Sequence, residues 1–68
     1  MTATYRVDWV NDRSEIPVQE CGEDINAARL CARTMSDRYG AAYIIKTEDG
    51  ADVGQWPAYD GQIYPFET

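Results

Sequence analysis

Sixty-eight residues, 44% of them hydrophobic, carry 12 acidic side chains against 6 basic ones and no histidine, for a formal charge of −6. A chain of this length buries only about 60% of the surface its unfolded form exposes, so residues 1–68 are expected to form one domain around one shared core. The lack of histidine excludes imidazole bases, Cys-His and Ser-His nucleophile pairs and histidine-bearing metal sites within the chain. With a mean hydropathy of −0.54 and no apolar run of about 18 residues, a membrane-spanning helix is excluded as well.

Tyr5, Val7 and Trp9 alternate with Arg6, Asp8 and Val10, the period of two of a half-buried strand. The start of the chain lacks the basic-then-apolar pattern of a secretory leader, which makes the cytoplasm the expected compartment. Asn11-Asp12-Arg13-Ser14 is a turn cluster. Ile16, Val18 and Glu20 then alternate with Pro17, Gln19 and Cys21 in a second, short strand, which Pro17 confines to a sheet edge because proline cannot donate to a ladder.

Gly22-Glu23-Asp24 opens a helix expected to run over about residues 24–39, with Asp24 as N-cap. Ala28, Cys31, Ala32, Met35 and Tyr39 form its apolar stripe, widened by Ala27 and Leu30, and Gly40 ends it. Arg29, Arg33 and Asp37 follow one another at i+4 steps, which places them on the side away from the core.

Ala41 to Thr47 is rich in branched and aromatic residues, and Glu48-Asp49-Gly50 follows it; Asp-Gly between two strand-like runs predicts a hairpin with positive φ at both turn residues. Alternation puts Tyr43, Ile45 and Thr47 on one face and Ala42, Ile44 and Lys46 on the other. The return strand, from Asp52 to Trp56, is expected to stop at Pro57, with Trp56 and Tyr59 on opposite faces. Asp60-Gly61 repeats the turn signature before a last edge strand carrying Ile63, Tyr64 and Phe66. The order is β-β-α-β-β with a fifth strand as an option, one helix laid across one face of an antiparallel sheet of four or five strands, an α+β fold. The sheet's second face is then left toward solvent or a partner.

The two cysteines, Cys21 and Cys31, are too few for a structural zinc site and are not spaced as Cys-x-x-Cys. Reduced thiols are the expectation, with a disulfide between them as the alternative, and Cys31 reads as a small core residue. Glu48 and Asp49 are neighbours that would face opposite ways on a strand, the acidic residues do not match a calcium loop, and no glycine-rich phosphate cradle exists. A non-enzymatic chain without cofactor or metal is therefore expected.

Charge is uneven along the chain: residues 1–24 carry a net of −4, residues 25–46 a net of +3, and residues 47–68 a net of −5. The acidic turn residues Glu48, Asp49, Asp52 and Asp60 are candidates for contact with a basic partner surface, against the ordinary reading of turn chemistry and solubility. Trp56, Tyr59 and Tyr64 are candidate aromatic anchors, against the reading that they thicken a small core. Arg29 and Arg33 are a candidate basic contact, against the reading of a solvated helix face. Direct nucleic-acid binding is disfavoured by the net charge.

In size and charge, though in no particular residue, the chain resembles accessory proteins of phages and mobile elements, anti-CRISPR inhibitors among them. The expected function, read from the chain's own charge and aromatic residues, is a small non-enzymatic protein-binding module, with inhibition of a nucleic-acid-processing complex by occupying a basic surface as one form of it. The alternatives are a self-associating structural domain, in which case a homodimer is expected, and a weak nucleic-acid binder using the helix arginines.

Overall fold

The computed structural model describes residues 2–64. Its elements are β1 (Ala3–Trp9), β2 (Val18–Gly22), α1 (Ile25–Tyr39), β3 (Ala41–Glu48), β4 (Ala51–Tyr59) and β5 (Gln62–Ile63). They form one antiparallel sheet in the order β2-β1-β3-β4-β5, with the helix on one face. The expected α+β architecture is thus present with its fifth strand.

Local chemistry explains both helix ends and both Asp-Gly turns. The Asp24 carboxylate accepts from the amides of Asn26 and Ala27 at 3.0 and 3.1 Å, satisfying two donors that the first helical turn leaves without partners. At the other end the Gly40 amide donates to the Ser36 carbonyl at 2.8 Å. Both Asp-Gly pairs turn the chain as anticipated, with φ of 52° and 79° at Asp49 and Gly50 and 51° and 83° at Asp60 and Gly61. Positive φ at both central residues matches the twist of the strands on either side, and glycine adopts it without steric cost.

Three strand limits differ from expectation, one of them at β5, which ends at Ile63 and leaves Tyr64 outside the strand. Ile16 lies outside the sheet and is 66% exposed, and β2 begins only at Val18, immediately after Pro17, on an edge of the sheet. β4 does not stop at Pro57 but continues to Tyr59. The Pro57 carbonyl accepts from the Tyr64 amide at 2.8 Å, so the N and C=O of Pro57 point away from β3, and the missing N–H removes nothing from the β3–β4 ladder. Phe66 lies outside the described residues.

Val7, Ile44, Ala42 and Ala58 face the helix and meet its Ala28 and Ala32 in the core, with Tyr5, Trp9, Cys21, Cys31, Met35, Trp56 and Ile63 packed around them. Small residues at i, i+4 and i+8 let the helix lie close to the sheet, and the third is Ser36, fully buried and not anticipated from the apolar pattern. Its hydroxyl donates to the Arg33 carbonyl at 3.1 Å and accepts from the Gly61 amide at 2.9 Å, tying the helix to the β4–β5 turn. Leu30, about 200° around the helix from Ala28, is 67% exposed and Ala27 is exposed too, so neither joins the core as expected.

Candidate functional site

The face of the sheet opposite α1 has no described element over it. Strand alternation puts Arg6 and Asp8 of β1 there, with Glu20 of β2, Tyr43, Ile45 and Thr47 of β3, and Asp52, Gln55, Pro57 and Tyr59 of β4. At its centre Ile45 is 8% exposed, flanked by Arg6 and Gln55 on the neighbouring strands.

One half of this face is charged. The Arg6 guanidinium meets the Asp52 carboxylate with two parallel bonds of 3.1 Å, and its Nη1 also donates to Thr47 Oγ1 at 3.1 Å. This fork holds the Asp52 carboxyl below its ordinary range and pushes the Arg6 guanidinium up. Asp8 and Glu20 add to the field around the same arginine, so three carboxylates surround one cation. Burial pushes the Asp8 carboxyl up, only partly offset by Arg6, whose Nε is 3.8 Å away, and the buried Oδ1 of Asp8 has no hydrogen-bond partner.

The other half is aromatic. Tyr43 and Tyr59 meet edge to face with ring centres 6.3 Å apart, and Tyr59 and Tyr64 lie 5.7 Å apart. Tyr59 and Tyr64 remain 42% and 44% exposed, with the Tyr64 hydroxyl 3.5 Å from Gln62 Oε1.

The residues singled out in the sequence therefore separate into distinct places. Tyr59 and Tyr64 share the open face with Tyr43, while Trp56 lies on the helix side, 6.4 Å from the Tyr5 ring. The acidic group is divided. Asp52 is on the open face and is held by Arg6. Glu48 is on the helix side and pairs with Lys46 at 3.3 Å. Asp49 and Asp60 occupy turns at opposite ends of β4, whose nine residues span about 30 Å. Arg29 and Arg33 are exposed but do not sit at the back of the helix; they flank a groove of about 260 Å³ whose other lining residues are Ile25, Ile44, Trp56 and Ile63.

The clustering of Asp8 and Glu20 with Asp52 around Arg6 is not visible in their spacing along the sequence, because strand register brings them together. The alternation of Arg6 and Asp8 with Tyr5, Val7 and Trp9 was the available signal, since it already placed both on the solvent side. Cys21 and Cys31 are free thiols. Burial pushes both up, and at Cys21 the nearby Asp24 and Glu20 act in the same direction, so neither is activated as a nucleophile. No group of three or more candidate metal ligands exists among the described residues, and no described helix is long and apolar enough to cross a membrane. Family models, curated proteins and solved structures were all compared with the chain, and none matches it.

Proposed function

We propose that this chain is a non-enzymatic protein-binding module that docks its open sheet face on a basic surface of a partner. The observation that carries this reading is the composition of that face: a tyrosine cluster, two of its rings exposed, beside three carboxylates set against one arginine. Tyrosine supplies large contact area with little side-chain entropy to lose, and an acidic surround steers a basic partner and discriminates against acidic ones. A basic surface of that kind is what proteins that handle nucleic acid present to phosphate, and occupying it would inhibit them. The chain's net charge of −6 supports the same choice of partner and disfavours phosphate itself.

The test is affinity purification from host lysate with the parent chain and with a Tyr43→Ser, Tyr59→Ser, Tyr64→Ser variant, followed by mass spectrometry and by titration of the purified partner against salt. The expected result is a partner lost by the variant and released as salt rises. A partner retained equally by the variant contradicts the reading. A stable homodimer in sedimentation, disrupted by the same variant, assigns the face to self-association instead.

A further inference from the structure

A second surface on the opposite side of the sheet has a different chemistry. Arg29 and Arg33 stand one helical turn apart along the groove between α1 and the β4–β5 edge, with Ile25, Ile44, Trp56 and Ile63 as its apolar lining. Elsewhere, the cations Arg6 and Lys46 are paired with Asp52 and Glu48, the Arg38 guanidinium lies 5.5 Å from the centre of the Tyr39 ring, and Arg13, alone in the β1–β2 turn beside Asp12 and Glu15, has no ion pair among the described residues. Arg29 and Arg33 have no ion pair or side-chain hydrogen bond among the described residues. Asp37, the next residue of their row, lies against Gly61 instead: a Cβ placed on Gly61 would sit 3.5 Å from Asp37 Cβ. In a chain with twice as many acids as bases, two adjacent guanidiniums without carboxylates fit an anion supplied from outside.

The groove wall is held in place. The Trp56 ring lies over Gly54, 3.5 Å from where a Cβ would be, and Tyr5 packs near it with ring centres 6.4 Å apart. Beside this wall, among the described residues, β5 pairs with β4 only at Ala58 and Tyr59, and Ala51 to Trp56 have no neighbour on the outer side. The Pro57 carbonyl points to that side, so by alternation the N–H and C=O of Gln55 point there as well. β4 carries a bulge at Val53, so an extended peptide could add to the regular edge over Gly54 to Trp56 by main-chain hydrogen bonds, with alternate side chains entering the groove. Its carboxylates at i and i+2 would lie about 6.8 Å apart, close to the rise of about 6 Å between helix positions 29 and 33.

We propose that this groove binds an acidic peptide segment of a protein partner, added as a strand along β4, with two carboxylates on Arg29 and Arg33 and an apolar side chain against Trp56 and Ile63. Charge favours a peptide over a nucleic acid, since carboxylates bring one charge each to two guanidiniums without setting a polyphosphate chain against an acidic molecule. The site is separate from the open face and does not depend on its role.

The probe is an acetylated, amidated pentapeptide, Leu-Thr-Glu-Thr-Glu, titrated into the full isotope-labelled chain and followed by amide and indole resonances. Saturable shifts are expected at Gln55, the Trp56 indole, Arg29 and Arg33. An Arg29→Gln, Arg33→Gln variant with an unchanged circular dichroism spectrum is expected to bind at least about tenfold more weakly, as loss of charge-assisted hydrogen bonds requires. A peptide with its strand-pairing amides N-methylated is expected not to bind, and the triple tyrosine variant of the open face is expected to bind as the parent does. Absence of saturable shifts, or shifts confined to the open face, overturns the proposal. Tighter groove binding by a thymidine pentanucleotide assigns the site to nucleic acid and overturns it too. So does peptide binding seen only in a chain ended at Tyr64, which would make residues 65–68 the occupant, or the same shifts arising from concentration alone, which would make it a second copy.

Discussion

Ser36 ties the helix to the β4–β5 turn through a buried hydroxyl, which serves the Arg33 carbonyl and the Gly61 amide at once. Ser36→Ala keeps the close approach of the helix but removes the acceptor for that amide, and the expected cost is about 1–3 kcal/mol, read as a lower urea midpoint with unchanged slope. On the open face, Asp8 and Asp52 respond to pH in opposite directions. The Asp8 carboxyl is raised by burial, so its ionised form weighs against folding above its ordinary range, and that burden is relieved as pH falls through the raised value. The Asp52 carboxyl is lowered by Arg6, so its contribution is present above the unfolded value and is lost only as pH falls through the lowered one. Asp8→Asn is therefore expected to raise the thermal midpoint at pH 7, with the gain vanishing under acid conditions. An equal gain at every pH would contradict this origin.

At the scale of elements, local and non-local signals divide cleanly. The helix and both hairpin turns were legible because each rests on neighbours in sequence: Asp24 reaches amides two and three residues on, and the Asp-Gly pairs need only their own backbone. Asp24→Ala is accordingly expected to cost about 1 kcal/mol, seen as a drop of about 4–8 °C in midpoint for a domain this small. Apolarity misled where packing is governed by size, since the line closest to the sheet is Ala28, Ala32 and Ser36 while Leu30 faces water. Pro57 misled because its effect depends on which side of β4 its nitrogen faces, and that is set by β3 and β5 together. The candidate residues could be chosen from the sequence but not grouped. Trp56 belongs with Arg29 and Arg33 rather than with Tyr59, and Asp52 with Arg6 and Asp8 rather than with Asp60; both groupings are made by strand register. Gly54→Leu is expected to displace the Trp56 ring and reshape the groove while leaving the tyrosine face intact, which the indole and tyrosine resonances would report separately.

The whole molecule is an acidic sheet with two unlike sides. The net charge of −6 is distributed so that the helix side keeps Arg29 and Arg33 without carboxylate partners among the described residues and the open side keeps a surplus of carboxylates beside tyrosines. A molecule arranged this way can meet a basic and an acidic surface at once, one on each side of the sheet. On the proposed function, the partner sits on the open side. A photo-crosslinking amino acid placed at position 59, on the open face, or at position 30, on the exposed back of the helix, and irradiated in cell lysate, reports which side the partner occupies. A discrete protein adduct that weakens as salt rises is expected from position 59, and none from position 30. The same adduct from position 30, or no adduct from position 59, would contradict it.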